Sequence, residues 1–300
     1  MPQTHRIAVI QWHIKVLLPF LTQILSFELI KKDLALEENH QKACDYIRDA
    51  AAKGAELAVL PEYHLNGYCP ADPSYSPQTH LTVTKPYLEA YKSLAKELSL
   101  CIVPGTIVEN HPVGGKDVYY NVAYFIDSTG NIIGEYRKKN LWLPERDFLS
   151  AGREKNRVFD TPIGKVGMLI CWDIAYPEAF RELVSQGVQI VVAPTFWTKF
   201  DSTPEARAYN SDSESLLLQS TITARCFENG LVIAFANAAG KEEKWLGMSQ
   251  VSMPVVGSVG KMGDEEGLLV VDVDMRLLDI AEDCYGIRTD LKREGWHYAK

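Results

Sequence analysis

Short apolar runs alternate along this chain with stretches whose apolar residues recur at helical spacing. IAVIQ at 7–11 is short and continuous between polar flanks, which predicts a buried β-strand. DLALEENHQKACDYIRDAAAKG predicts a helix over 33–54, with Asp33 as N-cap and Gly54 as its stop. LAVLP at 57–61 predicts the next strand, PYLEAYKSLAKELSL at 86–100 a helix, and CIVPGTIVE at 101–109 an extended segment. NVAYFIDSTGNIIGEYRK at 121–138 reads as a hairpin, two alternating runs joined by the turn residues 127–131. A strand over 166–170 follows the turn Pro162-Ile163-Gly164, and a helix opens at Pro177, whose missing N–H costs nothing in a first turn. IVVAP at 190–194, a helix over 213–229, LVIAFAN at 231–237 and GLLVVDVD at 267–274 complete the series. Without repeat, low-complexity tract or linker, these units predict one α/β layered domain over 1–300, with function at the C-terminal ends of strands.

Composition narrows the class. With 46% hydrophobic and 23% charged residues the chain can bury a core. A net charge of −8 and the lack of any Lys/Arg-rich run argue against a nucleic acid or an anionic membrane as partner. Six cysteines, at 44, 69, 101, 171, 226 and 284, form no CxxC pair, which excludes a zinc ribbon and argues against a disulfide scaffold. Reduced thiols in the cytoplasm are the expectation.

Three strand ends carry chemistry. LAVLPEYHLNGY delivers Glu62 after an apolar strand, IIGEYRKKNLWLPERDFLSAG delivers Lys138, Lys139 and then Glu145, and GMLICWD delivers Cys171. Taken singly, each has an ordinary reading: a solvated glutamate, a surface lysine pair, a small apolar thiol. Taken in this order they resemble the carbon–nitrogen hydrolase (nitrilase) superfamily, whose pattern is a Glu in an LPE-like strand end, a Lys in a Y-R-K-x-H-L-like one and a Cys in an I-C-x-D-like one. ITARCFENGLVIAFAN at 222–237 and GMSQVSMPVVG at 247–257 are similar to two further family segments. The resemblance implies a four-layer αββα sandwich and a Glu-Lys-Cys set of Glu62, Lys138 and Cys171. Lys138, not Lys139, follows the arginine directly, and Glu145 with Gly152 matches the spacing of a second family glutamate. Asn140 departs from the pattern, standing where many members have His.

The chemistry is consistent with that implication. No histidine lies within 112–296, so Glu62 is the expected base for Cys171. Lys138 and the Trp172 N–H would hold the oxyanion, and Glu145 would orient Glu62 or the substrate. The expected reaction is hydrolysis of a small amide through a Cys171 thioester, and the mechanism that the family resemblance implies needs neither metal nor organic cofactor. CWDIAYPE resembles the amidase and carbamoyl-amide branch, since nitrilases proper usually carry Glu after Cys-Trp. A nitrile or N-carbamoyl substrate is the enzymatic alternative, and a catalytically silent binding member is the other. Trp142, Tyr176, Phe196 and Trp197 are expected to wall the pocket with Trp172. Homodimers through 177–187 and 287–298 are implied by the resemblance.

Residues 16–32, VLLPFLTQILSFELIKK, interrupt the family's short passage from first strand to first helix. They are too short for a membrane span, which needs about 20 apolar residues, and follow a strand the fold needs, which disfavours a signal peptide. Leu18, Leu21, Leu25 and Leu29 share one helical face. The stretch reads as an apolar insertion, either a helix over the active-site rim or interface, or a segment without function.

Overall fold

The structure, a computed structural model, describes residues 4–15 and 25–296, and of 25–34 the backbone only. Among these residues thirteen strands form two sheets. The first contains β1 (Thr4–Gln11), β2 (Leu57–Val59), β3 (Cys101–Val103), β4 (Thr106–Asn110), β5 (Tyr119–Ile126) and β6 (Ile132–Arg137). β1, β2 and β3 are parallel neighbours, and β4, β5 and β6 extend the sheet antiparallel. The second runs β12 (Gly257–Lys261), β11 (Gln250–Met253), β10 (Val232–Ala236), β9 (Ile190–Pro194), β8 (Gly164–Met168) and β7 (Phe159–Thr161), with β8, β9 and β10 parallel. The last strand, β13 (Gly267–Asp274), returns to the first sheet antiparallel to β1.

The two-residue period of the strands sorts the layers. Ile7 and Val9 of β1 face the core shared with the second sheet, while Ala8 and Ile10 pack with Ala43 and Ile47 of α1 (Leu25–Ala52). After α2 (Tyr75–Gln78), α3 (Leu81–Leu98) joins that outer layer through Leu88, Tyr91 and Leu94. On the far side, α4 (Pro177–Val184) supplies Phe180 and Leu183 to the core. Beyond α5 (Pro204–Tyr209), α6 (Ser213–Asn229) supplies Leu218 and Ile222. Helices, sheet, sheet and helices make the four-layer αββα sandwich. Both faces of the central strands are therefore covered, which is why they read as continuous apolar runs. α7 (Arg276–Tyr285) and α8 (Ile287–Lys292) close the described chain.

Several boundaries differ from expectation. α1 begins at Leu25, so Asp33 lies inside it rather than capping it. No Gly or Pro occurs between 25 and 52 to stop it, and it ends before Gly54 at φ 75°. Of the predicted insertion, 16–24 lie outside the described residues, while 25–32 are the first turns of α1 rather than a separate helix. α3 starts five residues before Pro86, which sits inside the helix. The segment 101–109 breaks at Gly105, whose φ of 67° bends the chain beneath Pro61. A Cβ there would lie 1.8 Å from the Pro61 carbonyl oxygen, so only glycine fits.

Candidate active site

Glu62, Lys138 and Cys171 come from strand ends of both sheets. Glu62 follows β2 and is held at both oxygens: Asn121 Nδ2 donates to Oε1 at 2.7 Å, and the Phe196 N–H donates to Oε2 at 2.9 Å. Lys138 continues β6, its N–H donating to the Asn121 carbonyl at 2.9 Å. Its ammonium donates to Glu62 Oε1 at 2.9 Å and to Glu145 Oε1 at 2.6 Å. All three side chains are buried. Glu145 also accepts from the Trp142 N–H at 2.8 Å and from the Tyr63 hydroxyl. It thus holds Lys138 and makes no direct bond to Glu62, whose orientation comes from Asn121, Lys138 and Phe196. Lys139 lies apart, paired with Glu182 at 2.9 Å. Gly152 donates its N–H to the Lys138 carbonyl, and a Cβ on it would meet the Arg137 carbonyl oxygen at 2.4 Å.

Cys171 opens a 3-10 turn, Cys171–Ala175, with φ 47°, a left-handed conformation that a non-glycine residue adopts at a cost of about 1–3 kcal/mol. Asp173 supports this bend. It accepts from the Ile170 N–H and the Tyr136 hydroxyl on one oxygen, and from the N–H and side-chain amide of Asn140 on the other, all at 2.8–2.9 Å. Asn140, the departure from the family pattern, is therefore a donor to the bend. Arg225 of α6 ties down the far end of the turn through the carbonyls of Ile174 and Ala175.

Cys171 and Glu145 line an open cavity of about 500 Å³ together with Asp201. Its aromatic walls are Tyr63, Tyr68, Trp142, Trp172, Phe196 and Trp197. Trp172 and Trp197 meet at 5.3 Å between ring centres, and Trp197 Nε1 is anchored on Glu214 at 2.6 Å. Of the predicted wall, Tyr176 is not among the lining residues; it packs behind, edge-on to Trp172.

The model of the carbon–nitrogen hydrolase family matches residues 6–280. The chain belongs to that family. An omega-amidase of Xenopus laevis is 28% identical over 254 residues, covering 80% of this chain and 84% of its own. N-carbamoylputrescine amidase of Arabidopsis thaliana is 28% identical over 262 residues, covering 81% and 84%. The crystal structure of an amidase from Nesterenkonia sp. superposes with a TM-score of 0.69 at 25% identity, covering 92% of each chain.

In this carbon–nitrogen hydrolase, burial pushes the Glu62 carboxyl from the ordinary carboxylate range up to about 7, against the pull of Lys138 and with the help of Glu145. Burial opposes the Lys138 charge, but the charges of Glu62 and Glu145 and the hydrogen bond to Glu145 outweigh it and hold the ammonium above the ordinary lysine range. Burial first, and the Glu62 charge second, push the Cys171 thiol well above its usual range. The Cys171 side chain is therefore a thiol at rest, and becomes a thiolate only if a proton acceptor acts on it. Sequence reasoning missed Tyr63, Tyr68, Asn121 and Asp201. Asn121 was reachable, because the predicted hairpin 121–138 sets its two end residues, Asn121 and Lys138, opposite each other. Asp201 carries no motif signal; only the folded loop after β9 brings it to the cavity.

Proposed function

We propose that this protein is an amidase that hydrolyses a small linear amide through a Cys171 thioester. The observation that carries the reading is the buried chain Glu62–Lys138–Glu145 beneath the cavity that Cys171 faces. Glu62 takes the thiol proton as Sγ attacks the amide carbonyl carbon. Two of the three ammonium protons of Lys138 are engaged by carboxylates, which leaves the third for the developing oxyanion beside the Trp172 N–H. Glu62 returns its proton to the leaving nitrogen, ammonia departs, and the C–S bond remains as thioester. Water, deprotonated by Glu62, displaces the thiol and yields the carboxylic acid. Amide is preferred over nitrile because Asp173, at the position where nitrilases proper usually carry Glu, is fully engaged in holding the bend. Six free cysteines fit a reducing, cytoplasmic setting, and a homodimer belongs to the same reading.

The test is an ammonia assay on short aliphatic amides, N-carbamoyl amino acids and nitriles, with mass spectrometry of the trapped enzyme. Amides are expected to turn over fastest, with an acyl adduct on Cys171. C171A is expected to lose at least about 10³-fold in kcat while keeping its far-ultraviolet circular dichroism. Faster nitrile turnover, or an adduct on another cysteine, would overturn the reading.

A further inference from the structure

The cavity has a charge balance that bears on which amide it takes. Glu145, although on the lining, has its oxygens taken up by Lys138, Tyr63 and the Trp142 N–H. The Lys138 charge is in turn matched by Glu62 and Glu145. Asp201 is different. Among the described residues it accepts from Thr198 alone, at 2.6 Å from the hydroxyl and 3.1 Å from the N–H, and a carboxylate has about four acceptor positions. Thr198 thus fixes the group while leaving it open to a further donor. Burial raises its pKa to about 6, against those two bonds, so it carries charge at neutral pH. Glu214, close enough to raise it further, adds negative potential behind Trp197. No lysine or arginine is among the described residues that line the cavity. Tyr68, Trp142, Trp172 and Trp197 line the same space, and aromatic rings attract cations to their faces.

Building on the amidase reading, we propose that the preferred substrate carries, beyond the scissile amide, an ammonium or guanidinium group that Asp201 binds within the aromatic cavity. The same balance disfavours amides that carry a carboxylate, which would enter a site where no described lysine or arginine lines the cavity to meet it.

Three amides of matched length decide the matter: 4-aminobutanamide (cationic), pentanamide (neutral) and 4-carbamoylbutanoate (anionic), with the homologous 5-aminopentanamide and hexanamide to allow for depth. Wild-type kcat/KM is expected to fall in the order cationic, neutral, anionic. D201N is expected to reduce the cationic-to-neutral ratio by about 30-fold, and D201K to move the preference toward the anionic amide. Calorimetric titration of C171A with the same amides reads Asp201 without turnover and is expected to show tighter binding of the cationic members. Equal binding of cationic and neutral amides by C171A, or a ratio unchanged in D201N, overturns the assignment. If no amide acylates Cys171, the amidase reading fails, and the C171A titration still decides the role of Asp201.

Discussion

In the proposed mechanism Glu62 accepts a proton from a buried thiol, and a carboxyl with that task cannot also be a strong acid. Glu62 meets that demand through burial, which lifts it to about 7 although Lys138 donates to it at 2.9 Å. The sign of the pH dependence follows. Acylation needs Glu62 ionised, so kcat/KM should climb about tenfold per pH unit below 7 and level off above it. Lys138, held above its ordinary range, gives no falling limb through the lysine range. Alkylation of Cys171 by iodoacetamide should follow the same rising curve, because the thiol itself titrates far higher. E62Q is expected to cut kcat by about 10²–10⁴-fold and to remove the inflection near 7 from the alkylation profile. An inflection that persisted in E62Q would assign the proton to another acceptor.

The elements matter through where they stop. β2 ends so that Glu62 points toward the second sheet, and it is kept there by Gly105, over which Pro61 lies too closely for any side chain. G105A should therefore displace Pro61 and Glu62 together, lowering melting temperature and kcat in one step. The Cys171 bend depends on Asp173 in a comparable way. D173A leaves four donors without their acceptor, of which the Ile170 N–H and the Tyr136 hydroxyl lie deep in the core. It should cost about 3 kcal/mol of unfolding free energy, measured by urea titration, besides most of the activity. These relations explain what was legible beforehand. The strands were readable because continuous apolar runs between turn residues are written locally, and the αββα class was readable through the family resemblance that the order of the motifs carries. The 3-10 turn at Cys171 was not, since its left-handed φ is imposed by Asp173, Asn140 and Tyr136, which come from two separate stretches of chain. Tyr176 failed as a wall residue for a related reason: that turn aims Trp172 at the cavity and Tyr176 behind it.

At the scale of the molecule, residues distant in sequence converge where the strand ends of two sheets meet, and Lys15 marks where the chain enters the N-terminal apolar stretch. Lys15 is bonded to Asn39 in both directions, its N–H to Oδ1 and its carbonyl to Nδ2, each at 3.0 Å, and Asn39 also donates to the Leu65 carbonyl. The chain entering residues 16–32 is thus pinned beside the middle of α1, and Leu36 is the first described residue of that helix to be buried. Joining Lys15 directly to Asp33 leaves a short link to close. From Leu36 to Asn39 the helix rises about 4.5 Å, and three unwound residues, 33–35, reach about 10 Å. The shortened helix would then start just before Leu36, keeping Asn39 and its three bonds. None of the residues assigned to Cys171, Glu62, Lys138, Glu145 or the cavity wall is removed. Deletion of 16–32 is expected to leave amide turnover within about twofold, since it removes none of those groups and leaves Lys15 and Asn39 in place. It should also raise the soluble yield by removing twelve consecutive uncharged residues, Val16 to Phe27. A folded deletion variant, native by circular dichroism yet inactive, would show that the stretch belongs to the site.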